Sequence, residues 1–154
     1  MKFRNFKLVG YVVYGRGCFN QLEEIISPHR KQEKPMIFLV DSFFQNKSLV
    51  GRIAVRGNDK IIFADTSHEP RTSQVDALAK QLKDEFGSIS GIVGIGGGST
   101  MDLAKAVSLM MNNPGSSSDY QGWDLVKNPG VYKVGIPTLS GTGAEVSRTC
   151  VLTG

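Results

Sequence analysis

The sequence predicts an α/β fold: a parallel sheet with helices on both faces. Three observations lead there. Short apolar runs recur at residues 36–40, 61–64, 89–95 and 132–136. Between them lie stretches whose apolar residues fall at three- and four-residue spacing, the helical period. Runs and helices alternate along the chain, as they do when parallel strands are joined by helical crossovers. The 154 residues suffice for one domain with a real core and are too few for two large ones.

Taken in order, residues 8–14 suit a strand, β-branched and aromatic, ending at Gly15-Arg16-Gly17. A first helix is predicted over 19–26, stopping at Ser27-Pro28 because proline disfavours helical geometry in the residue before it. The run 36–40 is a strand ending in Asp41. A weaker helical turn near 48–53 leads to the strand 61–64. The next helix is capped by Thr72 or Ser73; Val75, Leu78, Ala79, Leu82 and Phe86 make its buried stripe and Gly87 follows it. Strand 89–95 then opens into a helix carrying Leu103, Ala106, Val107 and Met110, ending near Asn112-Asn113-Pro114. Residues 115–130 form a long polar loop punctuated by Tyr120, Trp123 and Leu125. Strand 132–136 delivers Pro137-Thr138-Leu139-Ser140-Gly141-Thr142-Gly143. Residues 150–153 read as the start or middle of a further strand, so the chain is expected to be a fragment of a longer protein.

Eighteen basic and fourteen acidic side chains leave a net charge of +4. The basic residues are scattered, which argues against a nucleic-acid partner and supports only a weak preference for small anions. No apolar run approaches the roughly 20 residues of a membrane span. Residues 1–7 carry charge but no apolar stretch of a signal peptide, so a cytoplasmic location is the default. Cys18 and Cys150, the only cysteines, read as two reduced thiols.

The most informative segment is Gly94-Ile95-Gly96-Gly97-Gly98-Ser99-Thr100-Met101-Asp102. Three consecutive glycines remove every Cβ where a strand gives way to a helix, and there the backbone N–H groups can approach phosphate oxygens. Ser99 and Thr100 can add hydroxyl donors, and the positive end of the helix dipole favours an anion. The segment is neither the G-x-G-x-x-G fingerprint, since Ser99 stands at the third glycine, nor a P-loop. Asp41, at the carboxyl end of its strand, can accept hydrogen bonds from an adenosine ribose and repel a 2′-phosphate, selecting NAD over NADP; it can equally be a helix cap. Pro137–Glu145, with two glycines and three hydroxyls, can meet a pyrophosphate or nicotinamide ribose, or be a Ser/Thr-rich turn. His29 and His68 have no metal-ligand companions at ligand spacing and read as surface imidazoles. These residues can hold a cofactor; none is placed to perform chemistry.

Gly15, Asp41 after Ile-Phe-Leu-Val, Gly96-Gly-Gly-Ser-Thr-Met-Asp102-x-x-Lys105-Ala106 and Pro137-Thr-x-x-Gly-Thr-Gly-x-Glu145 resemble the N-terminal half of iron-containing (group III) alcohol dehydrogenases. The resemblance implies a Rossmann-like dinucleotide domain over 1–154, followed by an all-helical domain that holds Fe or Zn on one aspartate and three histidines. It implies that Asp41 holds the adenosine ribose. Gly97, Gly98 and Ser99, within a turn that also includes Gly96 and Thr100, would hold the pyrophosphate. Thr138, Leu139 and Thr142 would face the middle and nicotinamide side, while Asp102 braces the loop. No catalytic or metal residue carries over, so the chain alone is expected to be inactive. Leu139 and Ala144 stand where the family usually has Thr and Ser, removing two hydroxyls from the cofactor loop. Glu69-Pro70 replaces an Asn-Pro of the family. Tyr120–Asp124 and Ser140–Thr149 are similar to the 3-deoxy-D-manno-octulosonate 8-oxidases, which oxidise the C8 alcohol of that sugar acid ahead of transamination in lipopolysaccharide sugar synthesis. Arg148, with Trp123, would then pair with a substrate carboxylate; an exposed Arg at a strand edge is the plainer reading. The implied partner is a small alcohol or sugar acid, and the implied assembly a homodimer. A polyol dehydrogenase, a dehydroquinate-synthase-like lyase and a truncated non-catalytic nucleotide-binding module remain alternatives.

Overall fold

The computed structural model describes residues 8–154; the charged stretch 1–7 lies outside the described residues. Four parallel strands form one sheet in the order β2-β1-β3-β4, with β1 at Met36–Asp41, β2 at Lys60–Ala64, β3 at Gly91–Gly96 and β4 at Tyr132–Pro137. The central strands β1 and β3 are buried almost throughout, as expected of parallel strands covered on both faces. β4, at an edge, alternates half-buried and exposed positions.

Helices α2 (Thr72–Phe86) and α3 (Gly98–Met110) cover one face. Val75, Ala79 and Leu82 of α2 and Leu103, Ala106 and Val107 of α3 pack there with Ile37, Leu39 and Ile92 of the sheet. The other face carries the short helix α1 (Leu22–Ile26), whose Leu22 and Ile26 meet Met36, Phe38, Val40, Val93 and Ile95. Alternating side chains of β1 and β3 thus feed two cores, the period-2 consequence of the pleat. α3 is buried on nearly every side. It comes so near the sheet that a Cβ on Gly94 would stand 2.8 Å from the Ala104 Cβ; the glycine makes room for the crossing.

Four expectations need correction. Residues 8–14 form no strand: Leu8, Tyr11, Val12 and Tyr14 are exposed, and β-branched composition does not make a strand without a packed face and a paired neighbour. The first helix is broken into a 3-10 turn at Cys18–Gln21, five α-helical residues, and a second 3-10 turn at Ser27–His29 that runs through the proline. It does so because Pro28 occupies a first-turn position, where its missing N–H costs nothing. α2 is capped by neither Thr72 nor Ser73. Its N-cap is Arg71, without a side-chain cap, and the Thr72 N–H donates to the Thr153 carbonyl at 2.9 Å. Residues 150–153 contribute only a single parallel bridge, Arg71 to Thr153. They form a strap across the start of α2, with Cys150 and Leu152 packed on the core beneath. The loop 115–130 contains one 3-10 turn, Ser117–Tyr120, held by a capping box from Ser116 and Asp119. Both cysteines are free thiols.

Candidate functional site

The strand registers align the carboxyl ends of the sheet. Asp41 pairs with Ala64 across β1 and β2, Val40 with Ile95 across β1 and β3, and Gly96 with Pro137 across β3 and β4. The connection leaving β1 packs Phe44, Leu49 and Ile53 on one face of the sheet and α3, leaving β3, packs on the other, so the topological switch point, where such sheets have their crevice, falls between these two strand ends. In open α/β sheets this is where ligands bind. Asp41, the glycine turn and the 137–145 loop therefore meet along one edge, as the sequence suggests.

At the turn, β3 ends on Gly96 and α3 begins on Gly98, with Gly97 as an N-cap that has no side chain to offer. The N–H groups of the first helical turn have no intrahelical acceptors, and the Met101 N–H is the first to turn back, to the Gly97 carbonyl at 3.1 Å. A Cβ on Gly96 would stand 2.3 Å from the Thr100 Oγ1. That glycine is required by the helix itself. Gly98 faces Thr142, whose side-chain atoms would be 3.0–3.1 Å from an added Cβ.

The structure divides the expected site residues by role. Ser99 is half-exposed at the mouth of the turn. Thr100 is fully buried and its hydroxyl shares a hydrogen bond with that of Thr66 at 2.8 Å, so its side chain braces the turn from behind. Asp41 is half-buried, and its Oδ1 accepts from the Phe43 N–H at 2.9 Å. It does cap the following turn, and its carboxylate still sits at the strand end. The Thr138 N–H donates to the Gly96 carbonyl at 2.9 Å. Leu139 is 69% exposed and Thr142 is exposed, both above Gly97 and Gly98. Asp102 is buried: its Oδ2 accepts the Val151 N–H at 3.0 Å and its Oδ1 lies 2.7 Å from the Lys105 Nζ. It holds the strap in place.

Thr66 and Lys105 have no role assigned by the sequence. Lys105 was readable as the i+3 partner of an aspartate on a helix face; Thr66, 34 residues from its partner, carried no such signal. His29 is exposed and stacks on Tyr132, centroids 3.6 Å apart; His68 is exposed. Among the described residues no three His, Cys, Asp or Glu side chains converge on a metal-sized site, and no helix is long and apolar enough to cross a membrane.

Residues 10–154 match the model of the family described as iron-containing alcohol dehydrogenase. The chain belongs to the iron-containing alcohol dehydrogenases. It is similar to an NAD-dependent methanol dehydrogenase of Bacillus methanolicus, 33% identical over 97% of this chain and 39% of that protein. Alcohol dehydrogenase 4 of Saccharomyces cerevisiae is 30% identical over 90% of the chain and 36% of its own length. A solved structure of sulfoacetaldehyde reductase from Bifidobacterium kashiwanohense in complex with NAD+ superposes with a TM-score of 0.79 at 26% identity, covering 95% of this chain and 38% of that one. The chain thus spans well under half the length of these members of the iron-containing alcohol dehydrogenase family.

Proposed function

We propose that residues 1–154 are the NAD-binding part of a metal-dependent alcohol dehydrogenase. The observation that carries this is the alignment of Asp41, the uncapped start of α3 and the 137–145 loop along one edge of the sheet. The residues present suit a dinucleotide: a Cβ on Gly97 would meet nothing nearer than the Leu139 Cδ1 at 3.7 Å, so the start of α3 is open to a phosphate, and a carboxylate stands one strand away. Gly97, Gly98 and Ser99 would hold the pyrophosphate, Asp41 the adenosine ribose, and Thr138, Leu139 and Thr142 the side towards nicotinamide. When bound, NAD supplies the acceptor for the hydride of a carbinol carbon. The metal that the family description names finds no donor set among the described residues. Residues 1–154 alone should bind NAD and turn nothing over; NADH formation by the purified chain would overturn that part.

Thermal melting tests the binding claim. NAD at a hundred times its dissociation constant stabilises by about 2.7 kcal/mol, which raises the Tm of a domain this size by roughly 5–11 °C. An unchanged Tm and unchanged amide spectra in saturating NAD sink the reading.

For the substrate we propose a sugar acid, 3-deoxy-D-manno-octulosonate, oxidised at C8. Support comes from the resemblance of residues 120–124 and 140–149 and from the proximity of Arg148 and Trp123. The Arg148 guanidinium lies 5.2 Å over the indole and 3.0 Å from Asp124 Oδ1. Asp124 is 85% exposed, and so screened a pair is worth about 0–1 kcal/mol, little enough for a substrate carboxylate to exchange with it. In the whole enzyme, Arg148→Ala should raise KM for the sugar acid and spare a neutral alcohol. Equal KM values for the sugar acid would discard the idea. A cytoplasmic homodimer belongs to the same proposal, and its mass in solution tests the assembly.

A further inference from the structure

The segment after β4 is pinned at both ends and free between them. Its start is held by the Thr138 N–H on the Gly96 carbonyl. Its far end is gathered onto one side chain: the Lys105 Nζ lies 3.1 Å from the Ala144 carbonyl, 3.0 Å from the Ser147 Oγ, against the Thr149 carbonyl, and 2.7 Å from Asp102 Oδ1. A lysine has three N–H donors; these go to the Ala144, Ser147 and Thr149 oxygens, and Asp102 Oδ1 meets the ammonium as a charge contact. Both Lys105 and Asp102 side chains are 12% exposed, a setting in which water screens the pair weakly. Between the two anchors, residues 139–142 are exposed, Gly141 and Gly143 adopt positive φ, and Leu139 and Thr142 stand over Gly97 and Gly98.

We propose that Lys105 is a positioning residue that holds this arch over the glycine turn and thereby sets affinity for the part of the dinucleotide beyond the pyrophosphate. The inference rests on the NAD reading above. Lys105 sits behind the arch and acts only through it: three backbone or hydroxyl oxygens of residues 144–149 are located by its charge, and the arch has no other side-chain anchor of comparable strength among the described residues. The adenosine half, at Asp41 on the far side of β3, does not depend on it.

The experiment compares dissociation constants of NAD and AMP, by calorimetry, for the wild-type protein, Lys105→Met and Ser147→Ala. With Lys105→Met, NAD affinity should fall about tenfold or more, the order of loss when charge-assisted contacts are removed, while AMP affinity stays within about twofold. Ser147→Ala leaves the buried ion pair intact, so it keeps the question answerable if Lys105→Met does not fold; it should give a smaller loss confined to NAD. A purely structural lysine would weaken both ligands together. Equal losses for NAD and AMP, or none for either, in a folded variant overturn the clasp and leave the nucleotide reading standing. A wild-type protein that binds no NAD overturns both.

Discussion

Replacing Gly97 by alanine separates the glycine turn as a binding device from the glycine turn as a folding requirement. Gly97 has φ −78° and ψ −172°, extended backbone open to any residue. An added Cβ would meet only the Leu139 Cδ1 at 3.7 Å, an ordinary contact. Alanine is a poorer N-cap than glycine by about 0.5–1 kcal/mol, while the stiffer unfolded chain returns about 0.4–1 kcal/mol. The two nearly cancel, so Tm should move by less than about 4 °C. Binding should suffer far more. A methyl group on the crevice floor keeps a phosphate from the first-turn N–H groups, and losing one charge-assisted hydrogen bond of about 1.5–3 kcal/mol weakens NAD by roughly 10- to 150-fold. Gly96→Ala is the contrasting case. Its Cβ would lie 2.3 Å from the Oγ1 and 2.6 Å from the Cβ of buried Thr100, so the helix must shift and stability must fall. Calorimetric titration and a melting curve on each variant suffice. A folded Gly97→Ala protein that binds NAD as tightly as wild type refutes the assignment of the turn as the phosphate cradle.

Asp41→Asn keeps an oxygen for the Phe43 N–H but removes the charge that repels a 2′-phosphate; the ratio of NADP to NAD affinity should rise about tenfold, and an unchanged ratio refutes the role. Burial works to raise the Asp76 pKa, but hydrogen bonds from the Ser116 hydroxyl and the Ser117 amide outweigh it and hold the carboxyl below its ordinary value. A depressed native pKa gives stability that is complete above the unfolded value of about 3.9 and is lost as pH falls through the native one. The Tm deficit of Asp76→Asn should therefore be steady from pH 7 to 5 and close below about pH 4; a gap that persists to pH 2 contradicts this. Burial, reinforced by Asp102, pushes the Cys150 thiol up, so at pH 8 it should react with a disulfide reagent more slowly than a free cysteine, as mass-resolved labelling would show.

What could be read in the chain was what periodicity and strand ends encode. The apolar runs of β1 and β3, the stripe Val75–Leu82 and the glycine turn each announce themselves within a dozen residues, and the rule that ligands gather at carboxyl strand ends brought Asp41 and the 137–145 loop to the same edge. What escaped depends on partners far away in sequence. Residues 8–14 have strand composition but pair with no strand of the sheet and bury no face. α2 begins at Thr72 behind an N-cap, Arg71, that offers no capping side chain, because the Thr153 carbonyl takes the Thr72 N–H in its place. Thr100 looked like a ligand donor and is a brace because Thr66 claims its hydroxyl. Lys105 reaches oxygens 39 to 44 residues away; no local window contains them.

The sheet order has a consequence for synthesis. β3 sits between β1 and β4, yet β4 ends at Pro137, 41 positions after Gly96 closes β3. At about 5–20 residues per second, the ribosome leaves that side of β3 bare for roughly 2–8 s, with Ile92, Val93 and Ile95 lacking their final neighbour. During those seconds the nascent polypeptide offers an apolar, unpaired margin to any other chain nearby, and its escape from clumping depends on what shields that margin until Tyr132 arrives.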